Sequence, residues 1–417
     1  MTAEKNIREM GAKAKDASHQ LCLASTAEKN CMLRMLVNNL LQAKSAILTA
    51  NREDIALARS SGMTPAMLDR LSLEGRLEGI IQNISTVIDL PDPIGEVLEK
   101  KKLPNGLLIS KRRVPLGVLG VIYESRPEVT IDVAALAIKT GNCAILRGGS
   151  ETMRTNTALV SVIQASLTEA RLPEAAVQLI DQPDRSLIKQ LLHMHEFVDV
   201  IIPRGGENLH AFCRENSRVP VITGGIGVCH LFVDESADLA EVIDVVDNAK
   251  RQRPTVCNAL DTLLIHQSVA KTFLPRLMAR LNDVSFRLDE RSQQLMQGAQ
   301  CKPAEPDDWN TEWLSLVLGI KIVDTLQEAI NHIHQHSTGH SDGILTENPQ
   351  HAEQFVKEVD SACVYVNAST RFTDGSQLGL GTEVAISTQK LHARGPMGLG
   401  ELTTYKWVIE GSYHKRK

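Results

Sequence analysis

Apolar positions recur at helical spacing up to about residue 90, and short apolar runs take over after that. Ile7, Met10, Ala14, Leu21 and Leu23 mark one helix, and Met32, Leu33, Met35, Leu36, Leu40, Leu41, Ile47 and Leu48 mark a second. Thr26 is the expected N-cap of the second. Pro65 in PAMLDRL suits a first helical turn. Residues 4–90 therefore predict a helical layer packed on a sheet. Pro91 and Pro93 end that pattern. The run VLEKKKLPNGLLISKRR follows, and Asn105–Gly106 between its alternating halves predicts a polar hairpin with an open edge.

The next stretch alternates strand and helix. VPLGVLGVIYE, CAILRGG, AVQLID and VDVIIP read as buried strands. Helices over Val129–Thr140, Asn156–Ala170 and Asp184–Leu192 separate them, and RGGENLH opens another. From about 228 to 394 the pattern repeats: HLFVDE, LDTLLIH, IKIV, GILT and ACVYVN as strands, with helices Val269–Leu281, Leu326–His336 and Pro349–Glu358. Such alternation predicts two doubly wound parallel sheets, an α/β fold. Residues 282–311 read as an irregular polar excursion. LTTYKWVIEGSY near the end alternates like an edge strand.

Bulk properties narrow the class. At 417 residues the chain exceeds one ordinary core. A net charge of −5 and 3% aromatic residues give neither a basic field nor stacking platforms for nucleic acid. No apolar run approaches membrane-spanning length, and the charged N-terminus lacks the apolar core of a secretory signal. Eight cysteines without a C-x-x-C pair predict reduced thiols and a cytoplasmic protein.

The candidate chemistry centres on QRPTVCNALD, where Cys257 sits in a polar loop just before a strand. A lone cysteine is ordinarily a small packing residue, and the other seven read as such. Arg251 and Arg253 set Cys257 apart, because cations favour the attacking thiolate. Three strand ends carry small residues: Arg147–Gly148–Gly149, Arg204–Gly205–Gly206 and Thr223–Gly224–Gly225. Glycines admit a ligand to the backbone and arginine pairs with phosphate. Neither G-x-G-x-x-G nor the P-loop motif is present. His332, His336 and His340 share helical spacing but have no acidic or cysteine partner in sequence, so they predict a polar helix end and no metal.

Glycine turn, cysteine loop and then Glu312 in NTEWLSLVLGIKIV, at these spacings, resemble the aldehyde dehydrogenase superfamily. Within it, RRVPLGVLGVIYESRP, KTGNCAILRGGSE, PVITGGIGVCH, YVNASTRFTDG and KLHARGPMGL are most similar to the reductases that act on gamma-glutamyl phosphate. The resemblance runs over nearly the whole chain. It implies a cofactor-binding domain over 1–92 and 114–227, a catalytic domain over 228–394, and an oligomerisation arm over 93–113 and 395–417, hence a homo-oligomer. It also implies reduction of the acyl phosphate of glutamate to the semialdehyde, which cyclises and feeds proline synthesis, with Cys257 as nucleophile and Glu312 on the nicotinamide ribose.

Three departures from the usual superfamily motifs sharpen this. The oxidising members' E-L-G-G-K reads here Ile222-Thr223-Gly224-Gly225-Ile226, without the carboxylate that activates water. An acyl-phosphate reductase needs no such base: a thiolate displaces phosphate to a thioester, and hydride reduces it. Their P-W-N-F-P reads Tyr123-Glu124-Ser125-Arg126-Pro127, which puts Ser125 in the oxyanion place beside Asn258 and the local backbone N–H groups. The superfamily's K-P-x-E reads Arg147-Gly148-Gly149-Ser150, so the acidic position is neutral and NADPH is the expected cofactor, although Glu151 is adjacent. Arg126, Ser369, Thr370, Arg371 and Glu383 are candidates for the substrate's carboxylate and amine, and Arg253 for its phosphate. A transient contact with the kinase that makes the substrate is a further expectation. A coenzyme A-acylating dehydrogenase and a silent scaffold of the same fold remain as alternatives.

Overall fold

The computed structural model describes residues 3–416. Met1 and Thr2 of the expected first domain, and Lys417 of the expected arm, lie outside the described residues. Two compact units form. The first comprises Met1–Thr223, Gly379–Ala385 and Pro396–Lys417; the second comprises Gly224–Leu378 and Ile386–Gly395. The segment Gly379–Ala385, and Glu383 with it, thus belongs to the first unit.

The first unit opens with α1 (Ala3–Leu21), α2 (Thr26–Ser60), α3 (Pro65–Leu71) and α4 (Leu77–Asp89). Met32, Leu33, Leu36, Leu40 and Ile47 form the buried face of α2. Leu23 departs from the pattern: it lies beyond the end of α1 and is 83% exposed. The N-cap of α2 is Ser25 and not Thr26. Ser25 Oγ accepts from the Glu28 N–H, and the Glu28 carboxylate accepts from the Ser25 N–H at 2.7 Å, which closes a capping box. Only at this register does a glutamate stand three residues after the cap.

After β1 (Val97–Lys102) and β2 (Leu108–Pro115) come β3 (Val118–Tyr123), α5 (Glu128–Lys139), β4 (Cys143–Arg147), α6 (Met153–Glu169), β5 (Val177–Leu179), α7 (Ser186–His193), β6 (Val200–Arg204) and α8 (Glu207–Asn216). The strands β5-β4-β3-β6 form a parallel sheet in that order. The order reverses at β3, and that reversal opens the crevice of a doubly wound fold. The run PVI contributes a single parallel bridge, Val221 to Ile201, rather than a strand.

The second unit contains β7 (Cys229–Val233), α9 (Leu239–Arg251), β8 (Leu260–His266), α10 (Gln267–Arg280), β9 (Ser285–Leu288), α11 (Glu290–Gln293), β10 (Cys301–Pro303), β11 (Val317–Val323), α12 (Leu326–His336), β12 (Ser341–Leu345), α13 (Pro349–Glu358) and β13 (Cys363–Val366). Its seven strands run parallel in the order β10-β9-β11-β8-β7-β12-β13. Residues 282–311 are therefore not a surface excursion. Val284, Phe286, Leu288 and Met296 are buried in the core, and the segment supplies two strands of the sheet. Its apolar alternation is only four residues long, too short to stand out among polar neighbours.

Two short strands, β14 (Ile386–Ser387) and β15 (Gly395–Pro396), precede β16 (Thr403–Glu410). β16 pairs antiparallel with β2 from Thr403↔Pro115 to Glu410↔Leu108, and β2 pairs with β1. The predicted hairpin and the C-terminal edge strand are thus one three-stranded sheet.

Lys29 of α2 and Asp92 form a buried ion pair at 2.6 Å, with side chains 2% and 7% exposed. Burial works to raise the Asp92 pKa. The Lys29 ammonium, the Ile94 N–H and the Thr26 hydroxyl outweigh it and lower the value. We expect Lys29→Met to destabilise the protein by about 3 kcal/mol, since it strands a buried carboxylate. Urea unfolding followed by circular dichroism checks this. The Asp92 contribution is present above about pH 4 and is lost as pH falls through its lowered value.

Candidate active site

Cys257 lies on a turn between α9 and β8, closed by the Ala259 N–H donating to the Val256 carbonyl at 3.0 Å. Its side chain is partly exposed. The turn is too early in β8 to be held by the sheet ladder, so side chains hold it. Asn258, 4% exposed, donates from Nδ2 to the Thr373 carbonyl at 2.8 Å. Its Oδ1 accepts from Arg371, and its carbonyl accepts from Thr370 Oγ1 at 2.7 Å. Arg371 Nε also reaches Gln252 Oε1 at 3.0 Å. Below the turn, the Cys257 carbonyl accepts from Cys229 Sγ at 3.2 Å. A Cβ on Gly227 would overlap that same carbonyl oxygen. Glu312 Oε1 accepts from the Gly227 N–H at 3.0 Å, so Glu312 is tied to the same corner.

The predicted residues of this unit divide into two groups. Cys257, Asn258, Arg371 and Glu312 come together, but the Asn258 amide is committed to the loop at 369–373 and is not offered as an oxyanion donor. Ser369 and Thr370 are buried. The Ser369 hydroxyl accepts from the Arg371 N–H at 3.3 Å and Thr370 holds Asn258, so both support the loop. Arg253 is exposed and its charge is felt at Arg371. Arg251 pairs with Asp247 and Asp283 at 3.0 and 3.1 Å and is spent there. Gly224 and Gly225 pack closely: a Cβ on Gly224 would overlap the Ile386 carbonyl, and Gly225 has a φ of 127°. Gly227, Cys229, Gln252 and Thr373 lie within PVITGGIGVCH, QRPTVCNALD and YVNASTRFTDG, but nothing in the sequence marks them individually as supports.

In the first unit the strand ends meet the needs of a polyanion. The Nε atoms of Arg147 and Arg204, at the ends of β4 and β6, are buried and lack hydrogen-bond partners. Arg147, 7% exposed, folds onto the Gly148 and Pro183 carbonyls. Gly206 caps α8 without a side-chain bond, and its N–H donates to the Glu124 carboxylate at 3.2 Å, so an acidic group already faces this helix N-terminus. The other strand-end glycines serve packing. A Cβ on Gly148 would overlap Asn156, one on Gly149 would overlap Glu151, and one on Gly205 would overlap Glu124. Ser150 is exposed and Thr223 half-buried. Glu151 turns away to accept from Ser125 N and Oγ at 2.8 and 3.0 Å. Ser125, at φ 49°, therefore has its one hydroxyl proton committed to a carboxylate, which removes it as a ready oxyanion donor. The phosphates of a dinucleotide would find donors in the unpartnered Nε–H groups of these two arginines.

A charged cluster at the start of α5 escaped the sequence reading. Desolvation, with the like charges of Glu128 and Glu383, pushes the Asp132 carboxyl up to about 7, while Thr382 hydrogen-bonds to it. Desolvation also raises Glu128 against the pull of Arg126, Arg204 and Arg76. Arg126 and Glu383 are thus brought into one cluster. Helical spacing of Glu128 and Asp132 was the only available signal.

His230, His332 and His340 are buried, His336 is half-exposed with Nδ1 at 2.9 Å from Asn310 Oδ1, and His340 lies beyond the end of α12, so the three expected histidines do not share one polar helix end. His230 Nδ1 lies 3.1 Å from Asp342, and its ring meets His332 edge-on at 5.5 Å, with Trp309 and His336 also against His332. Among the described residues no three His, Cys, Asp or Glu side chains converge to hold a metal ion.

Comparison with known proteins agrees with this architecture. The model of the aldehyde dehydrogenase family matches residues 2–310. A gamma-glutamyl phosphate reductase of Vibrio vulnificus is 56% identical over 410 residues, covering 98% of this chain and 99% of the relative. One from Photobacterium profundum is 55% identical, with 98% and 99% covered. The crystal structure of gamma-glutamyl phosphate reductase from Thermotoga maritima superposes with a TM-score of 0.95 at 47% identity, covering 99% of this chain and 100% of that one.

Burial, reinforced by His230, His336 and Lys321, lowers the His332 pKa to about 2. Below about pH 6.5 the unfolded chain takes up a proton on this imidazole and the folded protein does not, so stability falls with pH. We expect the loss between pH 7 and pH 5 to be smaller in His332→Leu than in wild type, by about 2 kcal/mol. Urea titrations at the two pH values measure it.

Proposed function

Because the chain belongs to the aldehyde dehydrogenase family, and within it to the gamma-glutamyl phosphate reductases, we propose that it reduces L-glutamate 5-phosphate to L-glutamate 5-semialdehyde and phosphate in proline biosynthesis. The observation that carries the mechanism is a partly exposed Cys257 on a rigidly braced turn, following a glycine stretch that holds no carboxylate to activate water. The Cys257 thiolate attacks the acyl carbon, the C–O bond to phosphate breaks, and a thioester forms. A bound nicotinamide supplies the hydride that takes this thioester to the aldehyde level. Collapse of the resulting thiohemiacetal breaks its C–S bond, returns that electron pair to sulfur and releases the semialdehyde from Cys257.

The remaining assignments follow chemistry. NADPH is the cofactor of this reading, supported by Arg147, by a neutral Ser150 in the acidic position and by Glu151 turned onto Ser125. Arg204 holds phosphate, with Gly148, Gly149, Gly205, Gly206, Thr223, Gly224 and Gly225 shaping the backbone, and Glu312 holds the ribose. Arg126 suits the substrate carboxylate, and Glu383 with Asp132 its ammonium. Exposed Arg253 suits the departing phosphate. Ser125, Asn258, Ser369, Thr370 and Arg371 act as supports.

In this reading residues 1–92 and 114–227 bind the cofactor, 228–394 carry the nucleophile apart from Gly379–Ala385, which group with the first unit, and 93–113 and 395–417 form the arm. A homo-oligomer is supported by Tyr405, Trp407 and Ile409, half-exposed or more on β16, and by the open edges of the arm sheet. No helix among the described residues is long and apolar enough to cross a membrane. Eight free cysteines support a cytoplasmic setting. Direct delivery by the kinase that makes the labile acyl phosphate belongs to the same reading. The coenzyme A and scaffold alternatives are not favoured, given the full-length relatives above.

The reverse reaction is the practical test: glutamate semialdehyde, phosphate and NADP, followed by NADPH absorbance. Phosphate-dependent NADPH formation, at least ~10³-fold lower in Cys257→Ala, is the expected outcome. NADPH formation without phosphate would mean a hydrolytic dehydrogenase. Equal turnover with saturating NAD and NADP would remove the cofactor assignment.

A further inference from the structure

We propose that the buried thiol of Cys229 is a positioning residue for the reaction, fixing and polarising the Cys257–Asn258 peptide so that the Asn258 N–H serves the developing oxyanion. This rests on Cys257 as the nucleophile. Cys229 is the first residue of β7 and is fully buried. Its Sγ lies 3.2 Å from the Cys257 carbonyl oxygen and 3.9 Å from His340 Nδ1. Desolvation, with Asp261 and Asp342 nearby, raises its pKa, so it keeps its proton and acts as a donor.

The contact belongs to a buried polar chain. His340 Nδ1 meets Ser341 Oγ at 2.8 Å, Ser341 Oγ meets Thr373 Oγ1 at 2.6 Å, and Thr373 Oγ1 meets the Tyr365 hydroxyl at 2.6 Å. The Thr373 carbonyl accepts from Asn258 Nδ2, which closes the chain onto the nucleophile's own turn. Gly227 has no Cβ because that atom would occupy the carbonyl's place.

A trans peptide is planar, so its carbonyl and N–H point to opposite edges. Holding the Cys257 carbonyl against β7 aims the Asn258 N–H away from β7. An S–H donated to that carbonyl draws charge through the amide and makes the N–H a stronger donor. A backbone donor next to the nucleophile is the type of group that stabilises an oxyanion formed at its sulfur. The Ser125 hydroxyl and Asn258 amide, both committed elsewhere, leave that task open.

Cys229→Ala and Cys229→Ser, assayed in the phosphate-dependent reverse reaction, test the idea. In the alanine variant we expect kcat to fall about tenfold with KM within twofold, and serine to restore kcat to within about threefold, because a hydroxyl can donate. Alkylation of Cys257 by iodoacetamide forms no oxyanion, so its rate and pH profile should stay within about twofold of wild type. A mere structural role would lower alkylation and turnover together. Wild-type kcat in the alanine variant, a parallel loss of alkylation, or serine no better than alanine would overturn the proposal. Should the alanine variant not fold, the infrared S–H band lost between wild type and Cys229→Ser decides. A hydrogen-bonded band supports the proposal and a free-thiol band overturns it. Full activity in Cys257→Ala would instead defeat the nucleophile assignment itself.

Discussion

The side-chain amide of Asn258 carries the constraint on which the catalytic unit depends. The turn bearing Cys257 precedes the paired part of β8, so no ladder of strand hydrogen bonds fixes it. Asn258 replaces that ladder by joining the turn to the Thr373 carbonyl, with Thr370 and Arg371 closing the same junction. Each such bond is worth only about 1 kcal/mol net, but leaving its buried partner unmade costs more. The turn therefore has one position, and a nucleophile needs one position to gain from proximity.

Charge is arranged differently in the two units. In the second, the cations near the cysteine are mostly engaged, Arg371 with Asn258 and Gln252, Arg251 with two aspartates. In the first, Arg147 and Arg204 keep buried Nε atoms without partners at strand ends. Buried donors left unmatched are costly, and an anionic ligand would offset that cost on binding. The carboxylates of Glu128, Asp132 and Glu383 crowd one another, so a cation at that cluster would relieve like-charge repulsion.

The arm follows a simpler rule. Three antiparallel strands leave two open edges, and Tyr405, Trp407 and Ile409 leave apolar surface on β16. Edges and apolar faces of this kind are covered in most stable proteins, and a second copy of the chain is the cover our reading assigns.

Periodicity alone determined much of this fold. Long apolar runs such as VPLGVLGVIYE and LDTLLIH reach the core as strands because burial on both faces requires continuous hydrophobicity. Asn105–Gly106 marked the hairpin, and it is Gly106, at φ 93°, that supplies the left-handed backbone the turn needs. Cys257 stood out by its flanking arginines, and Glu312 only through the resemblance to the family. Tertiary structure alone decided the rest. The short strands within 282–311 exist because neighbours in the sheet bury Phe286 and Leu288. Ser125 and Asn258 had the right chemistry for an oxyanion, yet Glu151 and Thr373, 26 and 115 residues away, had already taken their donors. A sequence shows which groups can donate. Which donors are already bound depends on packing between segments far apart in the chain.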